Sequence, residues 1–288
     1  MSKTCVVCRS LENKVVFQEL GIDVLRCAKC GHVFSSYEVD QNYDHYFGDQ
    51  PIEPEGQFWW DEAHQEMYDD FCQRFIAGRS GKLLDVGCGL GYFVKKVSSF
   101  PAWQAYGYEI SPQAVDFARN KLGLHNVSCG RVEDSSCAKN SFDVITLWDV
   151  VEHIPDPDPL LSYLSCLLTN DGMLFMHTPN IEVQLPKARL RKLLKGMKAD
   201  IHYLEARDHV NIYSMRTISQ VLNRNGFSPV RFIHLRPIQS LSGSRSKLLR
   251  LLKNLWFHSA VALFGMSFGR VNLDNLFVIA DKDKRRRE

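Results

Sequence analysis

The stretch that most constrains this chain is KLLDVGCGLGYF, Lys82 to Phe93: a short apolar run closed by Asp85, then glycines at 87, 89 and 91. An apolar run of that length bounded by turn residues reads as a buried strand. The text that follows, YFVKKVSSF, has helical apolar spacing. The glycines therefore sit in a strand-to-helix turn, where a parallel α/β sheet meets its ligand at a helix N-terminus. Glycines packed this densely bring the backbone close to that ligand.

Three ligands compete for such a turn. A phosphate-gripping loop of the form GxxxxGK[ST] needs a lysine and a hydroxyl that are absent here. A dinucleotide fingerprint is GxGxxG, whereas this turn reads GxGxG, and Asp85 two residues ahead of the first glycine would repel a pyrophosphate. Asp85 suits a ligand with a cationic amine. S-adenosylmethionine has such an amine, a sulfonium and no phosphate. The next strand, in QAYGYEIS, ends in Glu109, 24 residues after Asp85. An acid there can accept hydrogen bonds from ribose hydroxyls. A dinucleotide would want the same acid, so the loop discriminates and Glu109 alone does not.

From Lys82 onward, strand-like and helix-like segments alternate. Strands read at KLLDV, QAYGYEI, NVSCG, FDVITLWDV, GMLFMHTP, PVRFIHL and NLFVIAD. SPQAVDFARNKLG reads as a helix with Ser111 as N-cap and Pro112 at the first position, and MRTISQVLNRNGF as one that starts after Ser214 and closes at Gly226. The pattern predicts an α/β fold, a doubly wound, Rossmann-like, mostly parallel seven-stranded sheet. Ahead of it, WDEAHQEMYDDFCQRFIAG reads as a lead-in helix stopping at Gly78.

The first 36 residues read differently. Cys5 and Cys8 form one CxxC, Cys27 and Cys30 another, with 18 residues between. Two such hairpins aim four thiolates at one point, a zinc-ribbon pattern whose saturated four-cysteine site is structural rather than catalytic. His32 reads as a surface residue beside the knuckle. MSKTCVVCRS contains no apolar signal region, so the nine cysteines suggest a reducing compartment and a cytoplasmic protein. The expected organisation is a zinc ribbon over 1–36, a linker and lead-in helix over 37–80, and a main domain over 81–288. Tyr43, His45 and Tyr46 in the linker read either as substrate-side residues or as packing aromatics.

In this arrangement the chain resembles the class I S-adenosylmethionine-dependent methyltransferases, from about Lys82 to Leu235 with a last strand near Leu276 to Ala280. LDVGCGLGYF resembles the family's first motif, YGYEIS its second, and GRVEDSSCAKNSFDVITLWDVVEHIPDP the stretch with the adenine contact and fourth strand. The resemblance implies that Asp85, Gly87, Gly89 and Gly91 wrap the methionine part. It places Glu109 on the ribose, Ile110 beside the adenine, and Glu133 with the Val132 backbone at the adenine edge. The chain departs from the family at Arg131, where an acid often stands. Trp148 is expected to cover one side of the cofactor.

Two segments are candidates for chemistry. WDVVEHIPDPDP follows strand four and holds His153, which reads as a base or as a brace for the loop; Asp149 and Glu152 are ambiguous in the same way. EARDHVNIYS precedes a helix and holds Asp208 and His209. A carboxylate next to a histidine orients the ring and stabilises its charged form, which suits general-base work. With the cysteine ribbon, this segment resembles the deoxysugar C-methyltransferases and related polysaccharide-biosynthesis enzymes. In that group an acid–histidine pair serves deprotonation, so Asp208 and His209 rank ahead of His153. The ubiquinone-type O-methyltransferases share the EHIPDP text.

The expected function is methyl transfer from S-adenosylmethionine to O or C of a small-molecule or saccharide-type acceptor, such as a nucleotide sugar or a lipid-linked glycan, with Zn2+ as a structural ion. The alternatives are a zinc-ribbon RNA methyltransferase and a non-catalytic S-adenosylmethionine-binding protein. A net charge of +2 and the lack of aromatic–basic interleaving argue against nucleic acid. Two basic stretches without an acid, at 186–198 and 245–270, have helical apolar spacing. They read either as a lid or as a peripheral contact with the inner face of a membrane. The longest uncharged run there, NLWFHSAVALFGMSFG, is 16 residues, short for a span.

Overall fold

The computed structural model describes residues 3–38, 52, 62–201, 203–238 and 247–284, so Tyr43, His45 and Tyr46 lie outside the described residues. The N-terminal strands β1 (Asn13–Glu19), β2 (Ile22–Cys27) and β3 (Val33–Ser35) form an antiparallel meander around the CxxC turns. The lead-in helix α1 (Gln65–Phe75) follows and ends before Gly78, whose φ of 71° suits the reversal there.

The main sheet comprises β4 (Gly81–Val86), β5 (Trp103–Glu109), β6 (Val127–Cys129), β7 (Phe142–Trp148), β8 (Leu168–Thr178), β10 (Phe227–Ile233) and β11 (Leu276–Lys282), with β9 (Asn211–Ile212) outside it. Its order is β10-β11-β8-β7-β4-β5-β6. The pairs β4–β5, β4–β7, β5–β6 and β7–β8 are parallel, and β11 runs antiparallel to both neighbours. Helices α2 (Tyr92–Ser98), α3 (Pro112–Asn120), α4 (Asp158–Leu167), α5 (Ile181–Lys195), α6 (Met215–Arg224) and α7 (Lys247–Met266) connect the strands.

Central strands of a parallel sheet bury both faces and so read as continuous apolar runs. Leu84, Ile145 and Leu147 pack on one side with α4 and α6; Leu83, Val144 and Phe175 pack on the other with α1 and α2. The helix signals operate as read. Ser111 Oγ accepts the Ala114 N–H at 3.4 Å, and Ser214 and Thr217 close a reciprocal capping box. Most of the basic stretch at 186–198 lies in α5, a helix that begins earlier, at Ile181, because Asn180 caps its first turn by accepting the Glu182 N–H.

Two findings correct the reading of the ribbon. Val33 and Phe34 of β3 pair with Ile212 and Asn211 of β9, so a strand from the main chain completes the ribbon sheet. His32, expected at the surface, is fully buried: its Nε2 lies 3.0 Å from Asn211 Oδ1, and its ring packs on Phe34 and Tyr213. The main domain covers it, and burial lowers its pKa to about 4. Arg224 fastens the knuckle from α6, donating to the carbonyls of Val6 and Val7 and pairing with Asp158 at 2.7 Å.

Candidate active site

A cavity of about 460 Å³ lies at the carboxyl ends of β4, β5, β7 and β8. Its floor is the glycine turn. Gly87, Gly89 and Gly91 have φ of 69°, 51° and 84°, the left-handed region open to glycine. Gly87 and Gly89 line the cavity, whereas Gly91 is not part of its wall. Gly91 is needed for packing: a Cβ there would meet Leu124 Cδ1 at 2.8 Å and Ala118 Cβ at 3.1 Å. At Gly87 the added atom would strike Val150 at 2.6 Å.

Two buried carboxylates stand beside that turn. Asp85 accepts the Thr146 hydroxyl at 2.6 Å, and burial raises its pKa to about 8 against that bond, with the charge of Glu109 adding to the rise. Glu109 accepts the backbone N–H groups of Gly89 and Ser111, both at 2.9 Å; burial raises its pKa as well. Each Glu109 oxygen keeps a lone pair for a hydroxyl. Ile110, Val132 and Glu133 line the wall beyond it, together with Arg131. Trp148 also lines the cavity, but it belongs to an aromatic cluster with Tyr68, Phe71, Phe93 and Phe175 at centroid distances of 4.5–5.5 Å. Its buried indole N–H has no partner among the described residues.

These residues fit S-adenosylmethionine. Two desolvated acids favour a cationic ligand with hydroxyls, and an unpartnered buried donor on the wall favours a polar one.

The far wall is built by residues that sequence reasoning ranked as rivals. His153 and His209 meet edge-on with ring centroids 4.9 Å apart. His153 Nδ1 lies 3.1 Å from the Asp208 carbonyl oxygen; donation there leaves Nε2 as the basic nitrogen. Burial lowers the pKa of His153 to about 4 and lowers that of His209 too, which holds both rings neutral and able to take a proton. The structure pairs His209 with Glu205 at 3.5 Å, an i,i+4 contact, while the neighbouring Asp208 is exposed. The acid beside His209 thus comes from one turn back along the chain. Adjacent side chains in an extended or turning segment diverge, whereas a tight turn brings i and i+4 together.

One further residue on this wall, His177, lacked a local motif. His177, at the end of β8, lies 2.9 Å from Asp149 and 3.1 Å from Asn275. Its place at the carboxyl end of a strand was the available signal. Glu152 is fully buried; one oxygen accepts the Thr178 hydroxyl at 2.9 Å and the other has no partner among the described residues. Single ligand atoms of Glu152, His153 and His209 lie within 4.8 Å of one another, close enough to share one small cation. Asp149 and Glu205, at φ 52° and 56°, hold non-glycine residues in the left-handed region, strain of the kind that clusters at working sites.

The turn carrying Glu205, Asp208 and His209 is anchored by the ribbon. Glu19 of β1 accepts the N–H groups of Tyr203, Leu204 and Ala206 at 3.3, 3.1 and 3.1 Å, and Ser35 donates to the Ala206 carbonyl at 2.5 Å. At the far end of the ribbon, Cys5 and Cys30 Sγ are 3.5 Å apart, Cys8 and Cys27 Sγ 3.4 Å, and all four sulfurs lie within 4.8 Å. A tetrahedral zinc with ordinary Zn–S bonds needs sulfurs about 3.8 Å apart, so the four residues fit that ion.

Sheet order, the strand-to-helix glycine turn and the acid closing the second strand define a methyltransferase fold. A methyltransferase-domain family model matches residues 59–231, and the chain belongs to that family. A ubiquinone biosynthesis O-methyltransferase from Neisseria meningitidis serogroup C is 32% identical over 136 residues, covering 42% of this chain and 57% of the relative. The chain thus spans little more than half the length of that curated relative. Two solved structures share the fold. The YcgJ protein of Bacillus subtilis has a TM-score of 0.51 at 17% identity, over 77% of this chain and 100% of its own. Phosphoethanolamine N-methyltransferase 2 of Haemonchus contortus, solved with S-adenosyl-L-methionine, has a TM-score of 0.50 at 18% identity, over 84% of this chain and 56% of its own.

Proposed function

We propose that the protein is an S-adenosylmethionine-dependent methyltransferase that methylates a hydroxyl of a small molecule. The observation that carries this is the single cavity joining Asp85 and Glu109 to His153 and His209. When bound, the cofactor supplies a methyl group made electrophilic by its sulfonium. Asp85 would meet the cationic end and Glu109 the ribose hydroxyls. The aromatic cluster around Trp148 keeps water from that end. Methylating a neutral hydroxyl would break the methyl group's bond to the cofactor's sulfur, leaving a neutral thioether, form one O–C bond and release one proton, which His209 would take, with Glu205 stabilising the imidazolium. His153 edges the same ring and orients it.

The likeness to ubiquinone-biosynthesis O-methyltransferases supports oxygen as the acceptor atom. The cysteine ribbon supports a saccharide-type acceptor through its resemblance to the deoxysugar enzymes. We infer that the ribbon holds one structural zinc.

Calorimetric titration with S-adenosylmethionine, followed by radiolabelled methyl transfer to catechol-type quinol precursors, nucleotide sugars and tRNA, tests the reading. Binding with labelling of one small-molecule class is expected. Labelling of tRNA alone, or binding with no labelling of any acceptor, would overturn it.

A further inference from the structure

Helix α7 has an unusual exposed face. A surface helix normally turns polar residues outward. In α7 the inner seam is Lys253, Phe257, Ala260 and Phe264: Ala260 is buried, Phe264 meets His234 at a ring distance of 4.8 Å, and Lys253 donates to the Ile238 carbonyl. Leu248, Leu251, Leu252 and Leu255 are exposed instead, with Trp256 at 56%, and Phe268 just past the helix at 91%. Helix α5 repeats the pattern with Leu190, Leu193 and Leu194 exposed, Leu193 at 81%. Burial lowers the pKa of Lys253, and the like charge of Lys187 on α5 adds to the fall.

The charges favour one occupant. From Lys247 to Arg270 the chain contains Lys247, Arg250, Lys253 and Arg270 and no acid; from Lys187 to Lys198 it contains six basic residues and no acid. A second copy docking by a two-fold axis would set these bases against themselves, because such an interface uses the same patch on both subunits. An anionic bilayer presents the complementary charge and accepts leucine and tryptophan at its headgroup boundary. Among the described residues no helix is long and apolar enough to cross a membrane, so α7 would lie on the surface.

We propose that the exposed faces of α7 and α5 dock this protein on an anionic phospholipid bilayer. Ile238, bonded to Lys253 on the inner seam, and Asn275, in the segment that follows α7, both line the cavity, so α7 lies beside the cavity rim. The proposal does not depend on the catalytic reading, and its test needs no turnover.

The test is flotation of the full chain with vesicles of phosphatidylcholine alone and of phosphatidylcholine with phosphatidylglycerol, with light scattering of the free protein. At least about tenfold more protein should float with the anionic vesicles, and added salt should reduce it. Emission should shift to the blue on those vesicles, and Trp256→Phe should remove the shift. A Leu252→Glu, Leu255→Glu double variant should stay in solution while binding S-adenosylmethionine as the unaltered chain does, which shows that it has folded. No flotation, equal flotation with neutral vesicles, or flotation undiminished in the double variant would overturn the proposal. So would a dimer that the double variant disperses without any vesicle binding, which would identify a second copy as the occupant.

Discussion

Asp85 illustrates how a residue read as a ligand contact acquires its chemistry from burial. Its pKa of about 8 leaves it largely protonated at neutral pH. A cationic ligand favours the ionised form, so binding should release a proton there. Affinity for S-adenosylmethionine should then rise from about pH 6 to about pH 8, by at most about tenfold per unit. Calorimetry in buffers of different ionisation enthalpy reads the proton directly, and Asp85→Asn should remove both the release and the slope. A pH-independent affinity in the unaltered chain would refute this role. At the opposite wall, His209→Ala should lower single-turnover methyl transfer at least about a hundredfold at unchanged cofactor affinity. His153→Ala should cost less. Because the rings touch, the double variant should fall short of the product of the single losses. A near-normal His209→Ala beside an inactive His153→Ala would reverse the assignment.

At the scale of elements, β1 and the turn ahead of β9 work as one unit. Glu19 is buried and carries three backbone N–H groups of that turn on its carboxylate. Hydrogen bonds to a charged group contribute about 1.5–3 kcal/mol. Glu19→Gln keeps the shape and removes the charge. Amide exchange at Tyr203, Leu204 and Ala206 should speed up about tenfold or more, and turnover should fall while cofactor affinity holds, since Asp85 and Glu109 lie on other strands. Exchange at the original rates would show that Glu19 only fills space.

For the whole molecule, the ribbon and the main sheet are coupled through β9 and Arg224. Elemental analysis should find one zinc per chain, absent from a Cys5→Ser, Cys27→Ser double variant. Loss of the ion should loosen the ribbon and, through Glu19 and β9, lower turnover with little change in cofactor binding. Full turnover by a metal-free wild-type chain would defeat the coupling.

The sequence alone determined the strands of the main sheet, its capped helices and the glycine turn beneath the cavity. Those features rest on local patterns: an apolar run read as a buried strand, glycines where φ is positive, Ser111 and Ser214 at caps, Glu109 at a strand end. The four cysteines were legible for the same reason, since two CxxC turns specify their own geometry. Only the tertiary structure decided the rest. That His153 and His209 share a wall, and that His177 joins them, depends on segments far apart in the chain. The anchoring of the Tyr203–Ala206 turn spans more than 180 residues, from Glu19. No periodicity records such pairings, because a buried carboxylate finds its donors through the packing of whole elements, not through spacing along the chain.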